Sequence, residues 1–165
     1  EVMFFAALIG GFLYFKVALG FEEEQSVLSL PLATLGTSVL IVSSFAVVMA
    51  LEAIQSDDRR VFFNWMIVTL VLGVVFVSIQ AFEWMELYHE HITEETMFGS
   101  VFYLTTGLHG LHVIGGIIIL AMLMIRAMRG MFSAEKHLAI ELFGLYWHFV
   151  DVVWIVLFTV IYLIE

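Results

Sequence analysis

The sequence predicts an all-α integral membrane bundle of five transmembrane helices. Two bulk observations and one local one carry this. First, 62% of the 165 residues are hydrophobic and the mean hydropathy is +1.06, where a soluble domain is closer to half apolar. Second, only 13% are charged, against about a quarter in soluble domains. Third, the apolar residues fall into five runs long enough to cross a bilayer, which takes about 20 residues each. No soluble-sized segment separates the runs, so residues 1–165 read as a single membrane domain.

The spans follow in order. Val2 to Phe21 is interrupted only by Lys16. Val27 to Leu51 carries no charge. Val61 to Trp84 is charge-free as far as Phe82. Met97 to Ile125 holds His109 and His112, and Leu142 to Ile164 holds His148 and Asp151. The fourth run is rich in small residues, among them Thr105, Thr106, Gly107, Gly110, Gly115 and Gly116. Small residues let helix backbones approach closely in lipid, so the Thr106 and Gly110 pair predicts tight packing inside the chain ahead of self-dimerisation. The chain opens on Glu1 inside an apolar run, which predicts that the natural N-terminus and any targeting segment precede this numbering.

Basic residues in short loops mark the cytoplasmic side. Five of the six lie in two loops, Arg59 and Arg60 in one, Arg126, Arg129 and Lys136 in the other. The opposite loops carry Glu22, Glu23, Glu24, Glu86, Glu90, Glu94 and Glu95 and no Lys or Arg. The N-terminus is therefore expected inside and the C-terminus outside. Lys16, near the outer end of the first span, is expected to snorkel to the interface. Trp65, Trp84, Tyr88, Tyr146 and Trp147 are expected in an interfacial aromatic belt.

Composition excludes several classes. With no cysteine, disulfides, thiolate metal sites, c-type haem attachment and cysteine nucleophiles are ruled out. A net charge of −10 argues against nucleic-acid binding.

Ionisable groups at membrane depth are costly and mark function or packing. Residues three and four apart share a helix face. Gln80 and Glu83 therefore align in the third span, and Thr105, His109, His112 and Gly116 in the fourth. Glu141, Leu145, His148, Asp151 and Ile155 align in the fifth. Three readings compete. Imidazoles can hold haem, copper or iron, with His148 facing His109 or His112. Against this, a di-iron bundle needs two Glu-x-x-His motifs, and only Glu86 to His89 fits. His89 and His91 form a His-x-His in an acidic loop, read as solvated surface. The second reading is a proton relay through Glu83, His109, His112, His148 and Asp151. The third, favoured here, is an interhelical hydrogen-bond network of the same residues. An autonomous carrier would show internal repeats, and none is visible. On the inner side, Arg126, His137 and Glu141 read equally well as a lipid-phosphate pocket or as topology signals.

These polar-bearing spans resemble subunit III of haem–copper terminal oxidases, in its compact five-helix bacterial form. The resemblance rests on Phe102 to Gly115 (FYLTTGLHGLHVIG), Tyr146 to Trp154 (YWHFVDVVW), Gln80 to Trp84 (QAFEW) and the Glu-headed opening EVMFF. It covers essentially the whole chain. One departure is Gly36, where the family commonly has Asn before Thr37. The resemblance implies an accessory subunit with no catalytic residue, metal or haem of its own, the haem and copper lying in oxidase subunits I and II. It implies packing on subunit I, bound phospholipid, support of proton uptake and protection of turnover in a proton-pumping complex. It leaves room for a respiratory supercomplex and places the chain in a bacterial plasma membrane. Tyr146 before Trp147-His148 leans towards a cytochrome c oxidase over a quinol oxidase. A nitric-oxide-reductase-associated subunit is a near relative of the same pattern. By position, Arg126 resembles a lipid-binding arginine and Glu1 the family's signature acid. Glu83, His109, His112, His148 and Asp151 match its signature polar positions and are carried over as packing residues.

Overall fold

The computed structural model describes residues 1–21, 26–93 and 95–164. These form five helices: α1 (Val2–Leu19), α2 (Leu30–Gln55), α3 (Arg59–His89), α4 (Met97–Met128) and α5 (Leu138–Phe158). The last continues into a π-helical turn, Thr159–Leu163. All five are long and apolar enough to cross a membrane. Glu22, Glu23, Glu24 and Glu94 lie outside the described residues.

The ends differ from the apolar runs. α2 continues past Leu51 to Gln55, α3 runs on to His89, α4 to Met128, and α5 begins at Leu138, not Leu142. A run of apolar residues stops where polar ones enter, but helical bonding continues until a cap stops it. Those caps are visible. Asp58 Oδ1 accepts from Val61 N at 3.0 Å to start α3. Thr96 Oγ1 accepts from Gly99 N at 3.0 Å to start α4. A Cβ on Gly99 would fall 2.0 Å from the Thr93 carbonyl oxygen, so this cap requires glycine. Between the first two spans α1 stops at Leu19 and α2 starts only at Leu30, just before Pro31, one turn later than Val27. Proline suits a first helical turn because its missing N–H would be unpaired there anyway. With 31 residues, α3 is about 46 Å long and overruns the hydrocarbon core of about 30 Å.

α2 and α3 form the most extensive helix pair. α5 lies against both α2 and α4, and α4 also packs on α3 and α1. The loops after α2 and after α4 meet at one end: Ala134 N donates to Asp57 Oδ1 at 2.9 Å and Arg59 donates to the Phe132 carbonyl at 3.3 Å. The basic loops thus share one end of the bundle.

α1 is peripheral, with Met3, Tyr14 and Val17 exposed. It is held by Phe12 against Phe21 and Phe98, by Phe5 against Phe149, and by Lys16. Lys16 does not snorkel outward. It is 8% exposed and its ammonium donates to the Ile164 carbonyl at the end of α5. Carbonyls of a last helical turn have no partner within their own helix, and here the Ile164 carbonyl takes the Lys16 ammonium.

Two further expectations are corrected. Trp147 is not interfacial; it is 1% exposed. Its ring sits between glycines of two other helices: a Cβ on Gly73 of α3 would come within 3.0 Å of it, and one on Gly116 of α4 within 2.6 Å. The small residues of α4 do bring helices close at Gly116, but not at Gly110, where a Cβ would meet nothing within 4 Å. Thr106 is buried, its hydroxyl donating to its own helix at Phe102 O. At Gly36, the departing position, the backbone lies against the Phe76 ring, 3.5 Å from where a Cβ would be.

Candidate functional site

Of the polar groups predicted to be buried, Glu83, His109 and Asp151 are buried and His112 and His148 are half-buried, and most find partners the sequence did not indicate. Glu83 is 3% exposed and its Oε2 accepts from the Tyr162 hydroxyl at 2.7 Å. The π-helical turn at the end of α5 carries that tyrosine. His109 is fully buried. Its Nε2 donates to the Val150 carbonyl at 3.2 Å, and its ring packs between Phe76 and Trp154, with centroids 5.8 and 5.0 Å away.

His112 points the other way. Its Nδ1 donates to Leu108 O at 2.7 Å, and its Nε2 lies 3.2 Å from Glu1 Oε2. The Phe5 ring meets its edge at 5.0 Å, and the Tyr146 hydroxyl donates to its carbonyl at 2.8 Å. So Glu1, His112 and Tyr146 join α1, α4 and α5 at the N-terminal end of α1, halfway along α4, and Glu1 itself is mostly exposed.

His148 faces neither His109 nor His112. Its Nδ1 lies 2.5 Å from Ser44 Oγ of α2. The three histidines thus engage different groups: His109 a backbone carbonyl of α5, His112 the Glu1 carboxylate, and His148 a hydroxyl of α2. Among the described residues no three His, Asp or Glu side chains converge as metal ligands. Asp151 is 5% exposed. Neither of its carboxylate oxygens has a hydrogen-bond partner, although the Ser44 hydroxyl lies beside it.

The predicted α5 stripe is only partly buried. Leu145 and Ile155 are exposed, as is Glu141. The buried face runs instead through Phe143, Trp147, Val150, Trp154 and Leu157, with Asp151 at its edge. Two indoles on that face donate into α2, Trp147 Nε1 to Ser43 Oγ and Trp154 Nε1 to Thr37 Oγ1, both at 3.0 Å. With Ser44–His148, three hydroxyls of α2 meet three ring nitrogens of α5. Sequence reasoning missed Thr37, Ser43, Ser44 and Tyr162. For two of them a signal was present: Thr37 and Ser44, two turns apart on α2, share a face.

Arg126, His137 and Glu141 lie at the basic end but engage different groups. Arg126 sits over the Phe132 ring, 5.9 Å from its centroid. His137 precedes α5 without a side-chain capping bond, and its Nε2 lies 3.3 Å from Gln55 Nε2. Glu141 is in the first turn of α5, where a negative charge suits the helix dipole. An apolar cavity of 330 Å³ opens one turn deeper, between Ile119 and Leu123 of α4 and Leu142 and Phe143 of α5. At the acidic end Glu86, His89, Glu90, His91 and Glu95 are all exposed.

A family model described as cytochrome c oxidase subunit III matches residues 1–165. A probable cytochrome c oxidase subunit 3 of Nocardia farcinica is 40% identical over 168 residues, covering 100% of this chain and 83% of that protein. The protein of the same description in Mycobacterium tuberculosis (strain H37Rv) is also 40% identical over 168 residues, with the same coverage. The cytochrome c oxidase subunit 3 of Thermostichus vulcanus is 36% identical over 169 residues, covering 99% of this chain and 82% of that protein.

Proposed function

The chain belongs to the cytochrome c oxidase subunit III family, and on that premise we propose that it is the non-catalytic subunit III of a proton-pumping oxidase that takes electrons from cytochrome c. Membership makes it a multi-pass subunit of a haem–copper oxidase complex, associated with other oxidase subunits. The proposal adds that it holds no haem or copper, that it packs on subunit I beside subunit II, and that it binds phospholipid and sustains proton uptake and turnover.

The observation that carries the non-catalytic reading is how the buried polar groups are used. His109 is bonded to Val150 O, His148 to Ser44, His112 to Glu1 and Leu108 O, and Glu83 to Tyr162. Bonds of this kind join helices in lipid, each worth roughly 0.6–2 kcal/mol. Groups committed to neighbouring helices serve packing.

Lipid binding is supported by the exposed Arg126 at the basic end, above the apolar cavity between α4 and α5. A guanidinium at headgroup level with an apolar cavity below matches a phosphate and an acyl chain. The proposed location is a bacterial plasma membrane with the basic end cytoplasmic, supported by the basic loops meeting at one end and by the bacterial relatives.

The test is to purify the oxidase with and without this chain. The expected result is that all haem absorption stays with the remaining subunits, that the first turnovers proceed at the full rate, and that activity then decays faster. Haem bands that follow this chain would overturn the reading and return His109, His112 and His148 as ligand candidates.

A further inference from the structure

The outward faces of α2 and α5 make an apolar surface with one polar break. On α5, Leu145, Val152 and Ile155 are exposed. With His148 they recur at intervals of three and four, which sets them along one side of the helix. On α2, Ile41 and Val48 are exposed about one turn either side of Ser44. Ser44 and His148 meet at the seam between the two helices, with Ser44 Oγ 2.5 Å from His148 Nδ1. His148 lies about 15 Å along the axis from Leu138, where α5 begins, and Ser44 about 21 Å from Leu30, where α2 begins. Both are therefore well inside a hydrocarbon core of about 30 Å.

Other polar side chains on the outward faces satisfy themselves. The exposed hydroxyls of Thr34, Ser38, Ser78 and Thr159 each donate to the carbonyl four residues back in their own helix. An imidazole cannot do this with both nitrogens, because Nε2 lies at the far end of the ring. The His148 ring is half-buried. Its Nδ1 is taken by Ser44, and among the described residues its Nε2 stays accessible and meets no partner. Acyl chains offer neither donor nor acceptor, and the hydrocarbon core supplies no water. Ionisable side chains at this depth face protein or a water-filled cavity. Asp151, one turn along α5 and beside the same Ser44 hydroxyl, is buried with neither carboxylate oxygen bonded, which adds to the cost of leaving the seam to lipid.

We propose that the α2–α5 seam docks a transmembrane helix of another oxidase subunit, and that this helix presents a hydrogen-bonding side chain to His148 Nε2. The spacing agrees with this. Leu145, His148, Val152 and Ile155 follow the alternating three and four of a helix–helix seam, and a single polar position within such a row fixes the register of the two helices. A second copy of this chain fits less well. In a two-fold contact each residue near the axis meets its own copy, so His148 would meet itself in the same tautomer, donor against donor or acceptor against acceptor. A different subunit can supply the complementary group. The proposal rests on the chain being a subunit of an oxidase complex, and it adds the face and the residue through which a neighbour is held.

The test uses the intact complex, purified through a tag on this chain, with the photoreactive p-benzoylphenylalanine in place of Leu145 or Val152. Haem that co-purifies with the tag tests the oxidase reading by itself; without it that reading fails, and the docking proposal with it. After irradiation of membranes, cross-linked peptides are mapped by mass spectrometry. The expected result is a cross-link from both positions to the same membrane span of a different subunit. Two substitutions then separate docking from packing within the chain. Ser44→Ala removes only the internal bond of His148, whereas His148→Leu removes the bond to the neighbour as well. The chain should leave the complex in mild detergent about threefold to thirtyfold faster with His148→Leu than with Ser44→Ala, the worth of one interhelical hydrogen bond. With haem present, cross-links to lipid alone or to a second copy of this chain would overturn the proposal. So would equal rates of loss in the two variants, the result expected if His148 serves only the bundle.

Discussion

The Trp147 ring of α5 lies so close to Gly116 of α4 that a single added Cβ would stand 2.6 Å from it. The same ring reaches Gly73 of α3, and its indole donates to Ser43 of α2. One side chain thus holds four helices at fixed spacing, and glycine is the residue that permits it.

Gly116→Ala should therefore destabilise the subunit. Overpacking in a dense core costs about 1–3 kcal/mol, and the ring has backbone on two sides and little room to move. Trp147→Phe removes the hydrogen bond to Ser43 as well as ring area. Heat-induced loss of the chain from the purified complex, followed by gel, should shift to lower temperature for both. A variant Gly116→Ala complex as heat-stable as the wild type would show that the contact does not set stability.

Tyr162→Phe should leave Glu83 Oε2 buried without its donor. Leaving a buried group unpaired costs about 1–3 kcal/mol. Because Glu83→Leu removes the acceptor of the same pair, the two changes together should cost less than their sum. A thermal double-mutant cycle reads this, and additive effects would show that the two side chains are not coupled.

The wild-type chain has no cysteine, which gives topology labelling a clean background. In intact cells a membrane-impermeant maleimide should modify Glu90→Cys and leave Lys136→Cys untouched until the membrane is opened. The reverse pattern would invert the proposed orientation.

Arg126→Ala should lower the phospholipid retained per complex while leaving subunit composition unchanged. Native mass spectrometry or lipid extraction measures it. Unchanged lipid stoichiometry would remove Arg126 from the lipid site.

Neutralising Glu86, Glu90, Glu94 and Glu95 together should raise the KM for a basic electron donor at low salt and have little effect at high salt, where charges are screened. An unaltered low-salt KM would mean the acidic end does not steer the donor.

The sequence by itself determined that this is a membrane bundle, how many helices it has and which family it belongs to. Those follow from run length and hydropathy, which are properties of the chain alone, and from motifs such as FYLTTGLHGLHVIG. It also singled out Glu83, His109, His112, His148 and Asp151, because charge-capable side chains stand out against an apolar background. What it could not determine was their partners. Helical periodicity reports which residues share a face, not how each helix is rotated or which neighbour it meets. His148 is thus aligned with Asp151 in the sequence but bonded to Ser44 across the bundle. Trp147 reads as interfacial by residue type, yet it is central because Gly73 and Gly116 open a slot for it. Only tertiary packing decides such pairings, because they depend on backbone spacing between helices set jointly by residues far apart in the chain.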